Sequence, residues 1–456
     1  MSNKLDRREF LRQAGAIGAA AALGSALSPA FAEDATPAPK DEKLKIAWVG
    51  AGGQASGDIG QVSSEDIVAL CDVDDASAAG TYKNFPNARK YKDFREMLDK
   101  ESKNIEAVGV TIPDHNHAAA AVMAMQMGKH VYCQKPLTHL VSEAQVLLET
   151  SRRQKVVTQM GNQGHPSYAR TVEFIESGII GPVREVHVVT NRPIWPQGMT
   201  AAPAGTPAVP ATLDWDLWLA TAAARPFSPK YLPFVWRGWW DFGTGALGDM
   251  GCHLIDGPFW ALKLGLPTAI EPDPANPAPN PFSPPTASIV HWEFPQRGDL
   301  PPVKMTWYDG GKRPPLDVLG KAEFMPPDFS GSLFVGDKGK ILVSHGGGPV
   351  LLPVDQFKDV ARPKEYLKRS PGHYREWINA CKRARNTNNR TDGWAPEDLP
   401  ATNFEYSVPL TQTVLLGNVA LRTAQRVEWD AANLQVTNLP AANALIHYHY
   451  RDGWSI

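Results

Sequence analysis

From Leu44 onward the chain alternates short apolar runs with longer amphipathic ones. Leu44–Val49, Ile67–Cys71, Ala107–Ile112, His130–Cys133 and Val156–Met160 are compact apolar runs of strand length. Between them Asp93–Lys100, His117–Met127 and Ser142–Gln154 carry apolar residues at helical spacing, and Gly128 stops the second. Strands alternating with helices at this interval predict βαβ units and a parallel sheet. Farther on the texture changes. Ser288–Phe294, Val303–Tyr308 and the pair Leu333–Gly336 and Gly339–Ser344, split by Asp337-Lys338, predict strands and a hairpin. Helices are predicted over Tyr374–Arg385 and Thr411–Ala424. Pro267–Thr286 is too rich in proline for a helix or central strand and is predicted to be a loop. The aromatic tail HYHYRDGWSI is expected to dock, against a neighbouring subunit for instance.

The N-terminal segment follows different rules. Arg7-Arg8 and Phe10-Leu11 precede an Ala/Gly-rich, weakly apolar stretch that ends in Ala30-Phe31-Ala32. This predicts a removable twin-arginine signal over 1–32, cleaved after Ala32, with the twin-arginine export machinery as partner and the periplasm as destination. Residues 33–43 read as a polar, Pro-containing linker. No later run is long and apolar enough to span a bilayer, so no stable membrane insertion is expected.

A length of 456 residues fits two or three domains. A hydrophobic share of 43% with 21% charged residues excludes wholesale disorder. A net charge of -2 argues against a nucleic-acid partner. The four cysteines, Cys71, Cys133, Cys252 and Cys381, are spaced for neither a disulfide framework nor a zinc site.

Directly after the first predicted strand comes Gly50-Ala51-Gly52-Gly53-Gln54-Ala55, a G-x-G-x-x-A turn. Gly50 permits the tight turn, Gly52 lets the backbone approach a pyrophosphate, and Ala55 allows close helix–strand packing. Gly53 and Gln54 open the helix whose N–H groups face the phosphates. Asp72 ends the second strand, where a carboxylate suits a ribose 2′-hydroxyl and repels a 2′-phosphate. NAD is therefore expected over NADP. The ends of the later strands collect Thr111, Pro113, Asp114, Gln134, Lys135, Asn162 and Gln163, where ligands of parallel sheets bind.

Gly50–Ala55, Asp72, the run Thr111–Leu137 (TIPDHNHAAAAVMAMQMGKHVYCQKPL) and Gly245–Asp256 (GALGDMGCHLID) together resemble the glucose–fructose oxidoreductase / inositol dehydrogenase family, written Gfo/Idh/MocA, in a twin-arginine-exported branch. The resemblance implies an α/β protein with an N-terminal Rossmann domain (44–165) plus a C-terminal α/β domain (166–456). The second domain would have an open, largely antiparallel sheet, with the active site between the two. It also implies Lys135 as the catalytic lysine, within Gln134-Lys135-Pro136 where the family has Glu-Lys-Pro. Asp249 and His253 match its Asp-x-x-x-His. Pro113 and His117 match its strand-end positions, with Asp114 in place of the usual Asn.

The residues support a chemistry by themselves. Asp249 and His253, four apart on a helix, share a face, so the carboxylate can orient the imidazole. His253 then takes a proton from a hydroxyl while Lys135 stabilises the oxygen, and hydride passes to the nicotinamide. The expected function is oxidation of a ring hydroxyl of a sugar or polyol by an exported protein that carries its cofactor. One alternative is a redox-neutral glycoside hydrolase or lyase acting through a transient keto-sugar. A second is a non-catalytic sugar-binding protein. Trp239 and Trp240, just before the glycine turn that leads to Asp249, and His165 are expected to touch the substrate. No metal is expected: His253, Asp249, His115, His117 and His165 form no compact ligand motif. An exposed sheet face in the second domain would favour a homo-oligomer, dimer or tetramer.

Overall fold

A computed structural model describes residues 42–321, 324–447 and 449–456. The expected signal peptide, and the linker up to residue 41, lie outside the described residues.

Six strands, β1 (Lys45–Val49), β2 (Asp66–Cys71), β3 (Arg89–Tyr91), β4 (Ala107–Val110), β5 (His130–Gln134) and β6 (Thr158–Gly161), form a parallel sheet in the order β3-β2-β1-β4-β5-β6. Every residue of β4, β5 and β6 is buried. A sheet covered on both faces needs such continuous apolar runs, which is why these strands are plain in the sequence. Strand order reverses between β1 and β4, and the crevice at that switch point is where such sheets bind ligands. Asp74 and Asp93 cap the helices Asp75–Asn84 and Phe94–Glu101 by accepting the N–H groups of Ala76 and Arg95.

The second sheet has nine strands: β7 (Val183–Val189), β8 (Ala269–Pro272), β9 (Ile289–Phe294), β10 (Val303–Tyr308), β11 (Gly331–Gly336), β12 (Gly339–Ser344), β13 (Pro349–Leu352), β14 (Val427–Asp430) and β15 (Gln435–Val436). Their order is β13-β12-β11-β7-β10-β9-β8-β14-β15, and every pairing except that of β7 with β10 is antiparallel. The sheet is open, as expected. One expectation fails here: β8 lies inside the proline-rich stretch predicted as loop. Buried Ala269 and Ile270 carry the strand, and most of the prolines follow it.

A cut at residue 165 does not separate the packing. The helix His373–Ala384 puts Trp377, Ile378 and Cys381 into the core that Leu44, Ile46 and Trp48 build on one face of the parallel sheet. The C-terminal tail docks on its own chain. Arg451 is paired with Asp216 at 2.6 Å, and the Arg95 guanidinium lies 4.0 Å from the Trp454 ring. Among the described residues, no helix is long and apolar enough to cross a membrane.

Candidate active site

The carboxyl ends of β1, β2, β4 and β5 open onto a cavity of about 730 Å³, closed on its other side by residues of the second sheet's domain. Gly50, Gly52, Gly53 and Gln54 line one end. Gly50 has φ +92°, and a Cβ there would sit 2.0 Å from the Thr111 carbonyl oxygen. A Cβ on Gly52 would meet Ser77 Oγ at 1.9 Å. Only glycine fits either place. The helix Gln54–Gln61 that follows has no side-chain cap, which leaves first-turn N–H groups for an anion. This cradle fits a dinucleotide's pyrophosphate.

Asp72 lines the same end but is already engaged. Its Oδ2 accepts the N–H groups of Ala51 at 2.8 Å and Gly52 at 3.0 Å, and Oδ1 accepts that of Asp74 at 2.9 Å. Burial pushes its pKa up, against those three N–H donors. The carboxylate therefore braces the glycine turn, in addition to any contact with a ribose.

Beneath the turn lies a carboxylate that sequence reasoning missed. Asp58, fully buried, accepts hydrogen bonds from Gln54 Nε2 (2.8 Å), Tyr374 OH (2.6 Å), Thr111 Oγ1 (2.9 Å) and Gln134 Nε2 (2.8 Å). The polar ends of Gln54, Thr111 and Gln134, read as cofactor ligands, are thus turned onto Asp58. These residues shape the cavity wall. An amide at 134 donates to Asp58, which a carboxylate there could not do.

The chemistry-bearing groups meet at the other end. Lys135 Nζ, from the end of β5, donates to the backbone oxygen of Asp249 at 2.8 Å and to its Oδ1 at 3.1 Å. Arg237 Nε donates to the same Oδ1 at 3.0 Å. Burial opposes ionisation of Asp249, but Lys135 and Arg237 prevail and hold its carboxyl well below the usual range. Asp249 therefore does not orient His253, as the spacing had predicted. The partner of His253 Nδ1 is Asn162 Oδ1 at 2.7 Å. Asn162 Nδ2 donates to the Cys252 carbonyl at 2.8 Å and to Asp256 Oδ2 at 2.9 Å, which fixes the amide with its oxygen toward the ring. The proton of neutral His253 is accordingly on Nδ1, and Nε2 has no partner among the described residues. Burial first, then the Lys135 charge, holds His253 neutral by pushing its pKa well below the ordinary value.

Several expected contacts are not met. Asn162 is fully buried and positions His253 from behind, away from the cavity. His117 lines the cavity but turns its ring nitrogens to carbonyls, Nδ1 to Pro136 at 2.8 Å and Nε2 to Ile112 at 2.7 Å; held neutral by burial, it donates to one of the two. His165 is buried against Trp260, with Nδ1 on Asp256. Trp239 donates to the Lys230 carbonyl and Trp240 lies under Arg422; neither reaches the cavity. The aromatic walls are instead Trp195, Trp218, Phe234, Trp236 and Trp454. Spacing along the sequence could not say which aromatic residues turn inward. His345, with its ring 5.2 Å from that of His253, carried no motif at all. Among the described residues no group of three or more His, Cys, Asp or Glu is placed to hold a metal.

Two family models match the chain. One is described as "Oxidoreductase family, NAD-binding Rossmann fold" and covers residues 44–162; the other, "Oxidoreductase family, C-terminal alpha/beta domain", covers 173–270. Over these two segments the chain matches the Gfo/Idh/MocA oxidoreductase family. Its first domain is that family's NAD-binding Rossmann domain. Levoglucosan dehydrogenase of Pseudarthrobacter phenanthrenivorans is 26% identical over 205 residues, 43% of this chain and 44% of that protein. A glycosyl hydrolase family 109 protein of Shewanella pealeana is 28% identical over 208 residues, 39% of this chain and 44% of that protein. The chain thus spans less than half the length of the curated relatives it matches. An inositol dehydrogenase homologue of Azotobacter vinelandii, solved with NADH and myo-inositol, shares the fold with TM-score 0.55. It is 18% identical, with 85% of this chain and 98% of that one covered.

Proposed function

We propose that this chain oxidises a ring hydroxyl of a sugar or related polyol, and does so outside the cytoplasm after twin-arginine export. The observation that carries the reading is the tautomer of His253. Nδ1–H is tied to Asn162, so the Nε2 lone pair is left for a substrate hydroxyl, in the cavity that also holds Lys135 and the glycine turn. Held along Gly50, Gly52 and Gly53, NAD supplies the hydride acceptor. His253 Nε2 takes the hydroxyl proton as the carbonyl forms. Lys135 Nζ, steadied by Asp249, stabilises the developing negative charge on that oxygen. Asp249 acts by positioning the ammonium, with Arg237 on the same carboxylate oxygen.

Mass spectrometry of nucleotide released from protein purified without added cofactor tests the reading. NAD is expected; NADP, or no nucleotide, contradicts it. The likeness to the Shewanella pealeana glycosyl hydrolase family 109 protein favours a second reading, in which the same groups oxidise the sugar only transiently and a glycosidic bond is cleaved. An aryl glycoside separates the two. Aryl alcohol released without added NAD supports cleavage, and accumulation of keto-sugar with the glycoside intact supports net oxidation.

A further inference from the structure

The end of the cavity next to His253 carries more positive charge than its own carboxylates balance. Lys135 and Arg237 share the single carboxylate of Asp249. Asp114, the other carboxyl on this wall, is buried, which pushes it up to about 7, and it accepts the Thr244 hydroxyl at 2.7 Å. Near neutrality it offsets only part of a charge.

Arg192 has no acidic partner among the described residues. It is half-buried in the cavity wall, and its Nη1 donates to Asn191 Oδ1 at 2.6 Å. Asp309, whose neighbour Gly310 donates to the Arg192 carbonyl, has its carboxylate on Ser288 and Trp307. His345 lines the same cavity as this guanidinium, next to the proposed base. Its ring is 5.2 Å from that of His253, and it is kept neutral by burial, then by the charges of Lys135 and Arg192. A half-buried arginine in a cavity lined by neutral imidazoles, with its remaining N–H donors directed to no protein carboxylate, is an anion site by its chemistry.

We propose that Arg192, with His345, binds the carboxylate of a sugar acid, so that the substrate of this site is a hexuronate or similar anionic carbohydrate. The identification as a substrate rests on the oxidoreductase reading; the anion subsite itself does not. One free guanidinium matches one negative charge and the planar shape of a carboxylate, where a phosphate dianion would call for a second free cation. Trp195 and Phe234 on the same wall supply flat apolar surface for the C–H face of a pyranose.

The test uses the full chain carrying its own nucleotide. Binding of D-glucuronate, D-galacturonate, D-glucose, D-galactose and glucose 6-phosphate is followed by quenching of the cavity tryptophans, at low and high salt. One uronate should bind at least tenfold more tightly than its neutral parent and than the phosphate, and weaken with salt. Arg192→Gln should remove that preference, and Arg192→Lys should retain part of it. Equal binding of acid and neutral sugar, tighter binding of the phosphate, indifference to Arg192→Gln in a protein of unchanged melting temperature, or no binding of either acid would each overturn the proposal. Reduction of the nicotinamide is read in the same samples. A uronate preference without reduction keeps the subsite and removes the oxidation reading, whereas reduction by neutral sugars alone does the opposite.

Discussion

Asp249 and His253 stand one helical turn apart, yet each answers to a different partner. Spacing predicts a shared face correctly but cannot say that two cations capture the carboxylate first, or that an amide from the end of β6 holds the imidazole. Asn162 is thus a positioning residue. Asn162→Ala is expected to lower kcat by about 10- to 100-fold with little change in KM, since the ring loses the group that sets its tautomer; a change confined to KM would contradict this role. At position 134 the legible signal was an amide where the family has an acid, and its reason, Asp58, is visible only once the chain is folded. Gln134→Glu should set two carboxylates against each other and destabilise the fold by about 1–3 kcal/mol at pH 8. The pair would hold a proton in the folded state that the unfolded chain releases, so the lost stability should return as pH falls toward 5. A melting temperature equal to that of the unsubstituted protein at pH 8 would contradict the arrangement.

At the scale of elements, the parallel sheet was readable because full burial makes its strands continuous apolar runs. The weaker elements escaped. The edge strand β3 is Arg-Lys-Tyr with no apolar signal, and β7, central to the second sheet, carries Arg184, Glu185 and His187 among its valines. The helix read as starting at Thr411 begins at Phe404. Asn403 caps it by accepting the Glu405 N–H at 2.9 Å, and Pro409 is accommodated in its second turn. The glycine turn was legible because its constraint is local. Gly50→Ala should cost more than about 1 kcal/mol, given a positive φ and a carbonyl in the way of the new Cβ, and should abolish nucleotide retention. Retention at the original level would show that the turn is not the cradle.

At the scale of the molecule, the chain returns twice to its first domain; the aromatic tail announces docking, but no local pattern says where either segment lands. The helix His373–Ala384 completes a core begun at Leu44, and the tail brings Trp454 to the Asp72 end of the cavity, against Phe94 at 5.8 Å. Trp454→Ala is expected to speed loss of bound nucleotide during gel filtration while leaving the melting temperature of the emptied protein nearly unchanged; undiminished retention would contradict a role for the tail. Burial also sets the pH response of the whole fold. It holds His115 and His373 down to about 3, and His117, His130 and His139 down to about 4. Below about pH 6.5 the unfolded chain protonates these five imidazoles and the folded one does not, so they favour unfolding as pH drops. Asp114 and Glu143, raised to about 7, and Asp309, raised to about 6, act in the opposite direction, with the folded state holding the extra proton. His253, His345 and His187 are lowered likewise and Asp72 is raised, so the lowered imidazoles outnumber the raised carboxyls and the melting temperature should fall between pH 6.5 and 4; a rise over that window would contradict the balance.

The claim on which the rest depends is that Lys135 and His253 work together on one bound dinucleotide. Protein loaded with its own NAD, mixed with a panel of sugars and sugar acids and followed by the absorbance of reduced nicotinamide, tests it most directly. Reduction is expected in the unsubstituted chain, with loss of roughly 10²-fold or more in Lys135→Ala and in His253→Ala, nucleotide still bound in both. The double substitution should be little worse than either single one. Reduction at an undiminished rate in His253→Ala, with the nucleotide in place, would contradict the account.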